Sequence, residues 1–411
     1  MVRNYFVRIG VSLAVVGLST GVACAGGFSR QSQDFDILFQ DGTQVQTGVT
    51  FVAPQRKLEN IHGSAAAAAV EATHHGLNPA TGEPFATSTD ESESYFVPFA
   101  SVKYDLTPDV ACAAQYRQPF GAHTDVGTDN AIALSAIDQK IDSYDLGLNC
   151  SYKFGVGPGF VRVLGGVSYQ HLTGYQTQYL PYPLLVKPYG VTHDTTGILD
   201  VSDGSYGWRA GLAYEIPDIA LRAQLVYQSE VRYDLTGTVS GLLPSPIDIG
   251  SDVALPQSME LKLQTGIAPG WLAFGSVKWE DWSIEKAIVF SAVTNGAEVT
   301  RLNLYYRDGW TVTGGVGHKF NDALSLAGYV TWDRGVSTGY SSLSDTWLFG
   351  LSGAYTPTPN VELRLTGILG VMTGGFKDDT VVAGVPRLTG SIADFDADLV
   401  SGLSLSAKVK F

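Results

Sequence analysis

Arg117, Lys153, Arg162, Arg222, Arg232, Lys262, Lys278, Arg364, Lys408 and Lys410 share one parity of short alternating segments with Asp145, Glu230, Glu260, Glu280 and Glu362. In a passage of low dielectric an unpaired charge is costly, so most of this set is expected to pair between neighbouring segments. One or two cations left over would hold an anionic head group such as a carboxylate. The candidates are Arg117, Arg162, Arg222, Lys262 and Arg364. No G-x-S-x-G, phosphate-binding loop or C-x-x-C pair stands out and no nucleophile–base constellation is recognisable, so neither a catalytic residue nor a cofactor is expected. His74-His75 lacks a fixed carboxylate or Cys partner and is expected to be surface, not a metal site.

A second group of candidates is apolar. Tyr179-Leu180-Pro181-Tyr182-Pro183-Leu184-Leu185-Val186-Lys187-Pro188-Tyr189 and Leu242-Leu243-Pro244-Ser245-Pro246-Ile247-Asp248-Ile249 fall between alternating segments, where water-facing residues are the rule. Contiguous exposed apolar surface commonly marks a binding site. Leu180, Tyr182, Leu184, Leu185, Val186, Tyr189, Leu242, Leu243 and Ile247 are therefore expected to collect a greasy ligand. The competing expectation is that these loops pack on each other as a cap.

The elements that must position these residues are strands. Leu403, Leu405, Ala407, Val409 and the terminal Phe411 alternate with Ser404, Ser406, Lys408 and Lys410, and a period of two separates the two sets onto opposite faces. Fourteen such segments run from about residue 44 to residue 411, roughly 44–57, 92–104, 109–118, 140–155, 159–173, 204–216, 219–236, 254–267, 270–290, 299–319, 323–335, 344–356, 360–373 and 397–411. In the seventh, Leu221, Ala223, Leu225, Tyr227, Val231, Tyr233 and Leu235 are expected outside, opposing Arg222, Gln224, Gln228, Glu230, Arg232 and Asp234 within. Every second connection is a tight turn such as Pro217-Asp218 or Ala268-Pro269-Gly270, while those between are mostly long (58–91, 119–139, 174–203, 237–253, 374–396). Short periplasmic turns and long outer loops are the build of a bacterial outer-membrane barrel. The expected fold is all-β, a 14-stranded antiparallel transmembrane β-barrel over 44–411, in the Gram-negative outer membrane.

Residues 1–25 have the form of a secretory signal peptide, with Arg3 and Arg8 before the apolar Ile9–Leu18 and an Ala23-Cys24-Ala25 cleavage site. Lipoprotein processing at Cys24 is the weaker alternative, Gly21 standing where a large aliphatic is wanted. Residues 26–43 stand between this peptide and the first strand. Beyond residue 25 no stretch of ~20 apolar residues appears, so no membrane helix is expected. The net charge of −14, or −16 once Arg3 and Arg8 are removed, argues against a nucleic-acid partner. Acidic residues at Asp90-Glu91-Glu93, Asp378-Asp379, Asp394, Asp396 and Asp398 form a solvated surface, with a cation bridge to outer-membrane lipid and lipopolysaccharide head groups as an alternative. Cys112 and Cys150 fall on the lipid-facing parity of neighbouring strands; two small apolar residues are the favoured reading over a cross-strand disulfide. Ser64 followed by Ala65–Glu71 is expected to be a short capped helix.

Several short stretches, in order and spacing, resemble the FadL family of outer-membrane transporters for long-chain fatty acids and other hydrophobic compounds. They include Tyr95-Phe96-Val97-Pro98-Phe99 with Asp105–Asp109, Trp208–Tyr214, Tyr227–Arg232 with Gly237, and Leu255-Pro256. Pro269-Gly270-Trp271, Trp279-Glu280-Asp281-Trp282-Ser283, Trp347–Tyr355 and Phe411 continue the likeness, which covers most of residues 44–411. The resemblance implies fourteen strands, a plug inside the barrel (here the short amino-terminal segment 26–43), a final Phe read by the barrel assembly machinery, and ligand passing from an apolar outer groove into the lumen. It implies sideways exit into the membrane through a kink in the third strand; Gln118-Pro119-Phe120-Gly121 resembles that strand's ending. The family's plug is roughly twice as long, and Asn78-Pro79-Ala80 sits in the first outer loop rather than in a plug. Passive uptake of a hydrophobic small molecule is the leading expectation. A general porin, or an adhesive or structural surface barrel, are the alternatives.

Overall fold

The computed structural model describes residues 27–31, 34–64, 68–70, 72, 77–78, 81–182 and 192–411. Barrel strands β1 (Gln44–Pro54), β2 (Tyr95–Asp105), β4 (Asp138–Val156), β5 (Gly159–Leu180), β6 (Thr195–Ile216), β11 (Leu324–Arg334), β12 (Thr346–Thr358), β13 (Val361–Met372) and β14 (Asp398–Lys410) are continuous. Five others are broken in two: β3 (Val110–Arg117 and Gly121–Asp125), β7 (Leu221–Gln228 and Val231–Ser240), β8 (Ile247–Leu255 and Ser258–Ala268), β9 (Trp271–Glu280 and Ala287–Ala292) and β10 (Glu298–Asn303 and Gly309–Lys319). Each pairs antiparallel with its sequence neighbours, and β1 closes on β14 with Gln44 opposite Lys410, so the sheet has no free edge. Closure is what allows strands to cross hydrocarbon, because every backbone group must find a partner within the protein.

The outward residues form two aromatic rings. The outer ring includes Phe51, Phe96, Tyr116, Tyr144, Tyr169, Tyr206, Trp208, Tyr227, Trp332 and Trp347, with ring centroids 5.0–6.4 Å apart between successive neighbours such as Phe51–Phe96, Tyr169–Tyr206 and Trp208–Tyr227. Trp279 stands opposite Trp310 in the same ring. The inner ring includes Tyr104, Tyr152, Phe160, Trp271, Phe320 and Tyr355. From Trp271 to Trp279, or from Trp347 to Tyr355, is eight residues, about 26 Å along a strand. With strand tilt that approaches the ~25 Å apolar band of such barrels. Between the rings, Leu148, Val163, Val167, Leu212, Leu351, Leu365, Leu403 and Leu405 are exposed, as lipid-facing side chains must be.

Four sequence expectations change here. The third strand does not end at Gln118: it breaks, turns inward over Gln118–Phe120 and resumes at Gly121, with both segments paired to β4. Arg117 stands opposite Asp145 and Gly121 opposite Asp142, so β3 carries one extra residue and its parity flips. The seventh strand flips likewise at Ser229-Glu230. Below the break Arg222 and Gln224 are buried; above it Val231, Tyr233 and Leu235 are buried and Arg232 faces water. Strands β5 and β6 pair up to Leu180–Thr195, and β8 starts at Ile247, so the outer connections 174–203 and 237–253 are largely strand. Finally, Cys112 lies directly opposite Cys150 and the two form a disulfide, Cα atoms 4.0 Å apart. The helix expected after Ser64 is present at Ala68–Val70, where the Ala68 N–H donates to the Ser64 carbonyl.

Candidate functional site

The flips have a common physical result. Above the outer aromatic ring the barrel's exterior meets water rather than acyl chains, so polar residues belong outside and apolar ones can turn inward. Phe120, Leu172, Leu199, Val201, Val231, Tyr233, Leu235, Ile249, Val253, Trp282, Ile288, Phe290 and Tyr306 gather into one buried cluster in the outer half of the lumen. Trp282 is its centre. Phe28, Phe120 and Tyr306 stand edge-on to its ring with centroids at 5.6, 5.9 and 6.0 Å. A cavity of about 590 Å³ opens onto the cluster past Phe28, Ile141, Leu304 and Tyr306 and beneath the outer loops. That volume lies within the ~300–1,000 Å³ usual for small-molecule sites. A wider space of about 860 Å³ lies at the opposite mouth, lined by Phe39, Lys153, Arg162, Glu215, Lys319, Glu362 and Lys408.

Between the two spaces runs the segment after Gly27. Phe35, Ile37 and Leu38 are buried against Ala111, Ala113 and Leu164 of the wall, with a single 3-10 turn over Asp36–Phe39. Its carboxylates meet lumen cations: Asp34 with Arg117 at 2.9 Å, and Asp36 with Arg222 at 3.2 Å and Lys262 at 3.5 Å. Arg162 donates to the Leu38 carbonyl (3.0 Å) and pairs with Glu215 (3.1 Å). Arg364 pairs with Glu362, which also receives Lys408. Each of the five predicted head-group cations thus lies in the lumen beside a carboxylate, three of them on the plug segment's own acids.

The same segment meets the kink. The Arg30 N–H donates to the Pro119 carbonyl (2.7 Å) and the Gly121 N–H to the Phe28 carbonyl (2.7 Å). The Arg30 side chain lies where β3 has left β2: its guanidinium stacks 4.3 Å over the Tyr95 ring of β2 and bonds Asp142 of β4 at 2.9 Å. A Cβ at 121 would stand 2.4 Å from the Arg30 guanidinium carbon, so a larger residue there would push this side chain off its Tyr95 and Asp142 contacts. Arg30 is 4% exposed, so it fills this seam in the wall.

Of the apolar loop candidates, Leu180 is buried at the top of β5, and Leu242 and Ile247 pack on the Trp282 cluster. Tyr182 donates its backbone N–H to the Asp194 carboxylate (2.7 Å), and Leu243 is exposed. Leu184, Leu185, Val186 and Tyr189 lie outside the described residues, as do His74, His75 and residues 1–26. Asn78 is buried in the first outer loop, donating to the Thr128 carbonyl (2.7 Å). Sequence reasoning missed Phe28, Arg30, Phe120, Tyr233 and Trp282; the breaks at Ser229-Glu230 and Pro256-Gln257 were the signal that could have found them. It also passed over Gly335-Val336-Ser337-Thr338-Gly339, which spells a G-x-S-x-G nucleophile motif. That stretch is an outer loop, not a strand-to-helix turn, and the Ser337 hydroxyl donates to the Ser341 carbonyl (2.7 Å) rather than to a base.

A closed, plugged barrel with an apolar chamber on its outer side defines an outer-membrane transport protein. Residues 35–367 match the outer membrane protein transport protein family (OMPP1/FadL/TodX), and the chain belongs to it. It resembles the crystal structure of a Pseudomonas aeruginosa FadL homologue (TM-score 0.74, 17% identity, 91% of each chain). The P. putida toluene transporter TodX has a similar fold (TM-score 0.60, 16% identity, 90% of this chain and 91% of that one). In sequence it is 27% identical over 202 residues to the long-chain fatty acid transport protein of Salmonella typhi, a match spanning 41% of this chain and 46% of that relative.

Proposed function

We propose that this chain carries hydrophobic small molecules, acyl chains or compounds like them, across the outer membrane by diffusion and without catalysis. A greasy solute crosses the polar sugar layer poorly. The route begins at the outer loops, where Leu242 and Ile247 lead to the Trp282 cluster, and leaves sideways through the β2–β3 seam when Arg30 withdraws. The residues around it fit that setting: the aromatic rings suit lipid and lipopolysaccharide head-group levels, and the terminal Phe411 suits recognition by the assembly machinery. One observation carries the reading: an aromatic chamber stands on the outer side of a plug bonded both to the lumen cations and to the kinked wall. A polar-solute porin would need a water-filled path there.

Native mass spectrometry after mild extraction is expected to show a hydrophobic molecule retained by the folded barrel. Phe120→Asp, which places a carboxylate in the chamber, is expected to lower its occupancy by ~10-fold or more. Full retention in that variant, or a large steady current through the wild-type barrel in a planar bilayer, would overturn the proposal.

A further inference from the structure

We infer that the Cys112–Cys150 bond is made in the periplasm, by thiol–disulfide exchange with a soluble protein oxidant, before the barrel enters the membrane. Its role is to set the register of the broken strand β3. The inference depends on the barrel fold and not on what the barrel carries.

The first observation is where the two sulfurs stand. Cys112 and Cys150 lie directly opposite each other on β3 and β4, and both are on the outward parity of their strands. Ala111, Ala113, Asn149 and Ser151, their neighbours in sequence, are all buried on the lumen side. On the outward face the pair is bordered by Leu148 and Tyr152 along β4, by Ala114 along β3 and by Tyr104 across on β2. All four are exposed on the barrel's outside, so the bond sits at the inner aromatic ring, against acyl chains. Exchange needs a thiolate and an open line of approach between the attacking sulfur and the disulfide it attacks. Apolar surroundings hold a thiol protonated, and a folded oxidant cannot reach a sulfur covered by lipid. The bond is therefore older than the finished barrel.

The second observation is the cysteine count. The chain has 3, and Cys24 lies within the residues that read as a signal peptide, so a chain cut after Ala25 carries this pair alone. One Cys thiolate attacks the oxidant's disulfide, forming a mixed disulfide and releasing one oxidant thiolate. The other Cys thiolate then attacks the chain's own sulfur in that mixed disulfide, and the oxidant leaves as its dithiol. Two electrons and two protons pass from the chain to the oxidant. With no third thiol there is no wrong pairing to undo, so a single oxidation completes the bond.

The third observation is what the bond fixes. Strand β3 pairs with β2 only over Ala111–Tyr116, because it turns inward past Arg117. A strand held so briefly on one side slips easily, and a slip of one residue exchanges its two faces. Cys112 opposite Cys150 sets Arg117 opposite Asp145. The extra residue at the break then sets Gly121 opposite Asp142, the carboxylate that holds Arg30 in the seam. A β3–β4 loop closed in advance carries that register into the membrane.

The test follows newly made chains in Gram-negative cells by pulse labelling. Folded and unfolded chains are separated by unheated gel electrophoresis, and each is then denatured and its free thiols are tagged with maleimide–polyethylene glycol. The unfolded chain cut after its signal peptide is expected to carry the bond already, and folded barrel with free thiols should be absent at every time. Dithiothreitol in the medium should slow the appearance of folded parent barrel several-fold. Cys112→Ser/Cys150→Ser should assemble at that slower rate with or without dithiothreitol. Folded barrel whose thiols are free and oxidise later, or never oxidise, would overturn the order of events. Parent barrel that folds equally fast in dithiothreitol, or a double variant that matches the untreated parent, would overturn the role in register. None of these outcomes touches the transport reading.

Discussion

Glu285 shows how one side chain couples the chamber to pH. It sits past the outer aromatic ring, where β9 leaves its ladder over Asp281–Lys286, and it caps an Ala254 N–H that β8 would otherwise leave unpaired. Its folded value of about 7 stands above the ordinary 4.5, so the folded state holds the proton more tightly than the unfolded chain. The stability this adds is full in acid, below the unfolded value, and is lost as pH rises through about 7. The whole effect is of the order of 3 kcal/mol. Thermal unfolding of the purified barrel should therefore show a midpoint that falls between about pH 5 and pH 8, and Glu285→Gln should flatten that fall. A slope unchanged by the substitution would assign the dependence to other groups.

At the scale of elements, the segment Gly27–Thr43 and the kinked β3 form one unit. Asp36 is buried between Arg222 and Lys262, and removing one partner of such a cluster typically costs ~3–5 kcal/mol because the remaining charge is stranded. Asp36→Ala should loosen the plug and leave the wall intact. Steady conductance in planar bilayers should rise several-fold, with unchanged heat-modifiable migration of the folded barrel. Unaltered conductance would mean that the contacts of Arg30 and Phe28 with the kink hold the plug without Asp36. The inner end of β3 is fixed separately: Cys112, opposite Tyr104 of the inner ring, is bonded to Cys150 on β4.

For the whole molecule, that bond closes a loop of 38 residues, for which chain entropy alone gives up to ~4 kcal/mol. Cys112→Ser/Cys150→Ser should unfold at lower denaturant concentration than the parent, with the same barrel migration before unfolding. Equal midpoints would mean that the closed hydrogen-bonded sheet supplies the stability without it. Closure also explains why the strands were so legible. A lipid-facing position tolerates only apolar residues, so the alternation of Leu403, Leu405, Ala407 and Val409 with Ser404, Ser406 and Lys408 states both the strand and its membrane face. The same logic failed above the outer ring. There, water replaces lipid outside, and Val231, Tyr233 and Leu235 look identical in sequence to the lipid-facing Leu221, Ala223 and Leu225.

The sequence by itself determined the strand class, the number of strands, the alternation of tight turns with outer connections and the membrane environment, because each follows from local period and local solvent. It also marked the lumen cations, since charges on one parity need a polar interior. Only the tertiary structure decided which carboxylates those cations meet, because Asp34 and Asp36 reach Arg117, Arg222 and Lys262 from distant parts of the chain. The inward turn of the apolar residues above the breaks was decided there too. A single extra residue in β3 exchanges the two faces of everything beyond it, and its consequence appears only once neighbouring strands fix the register.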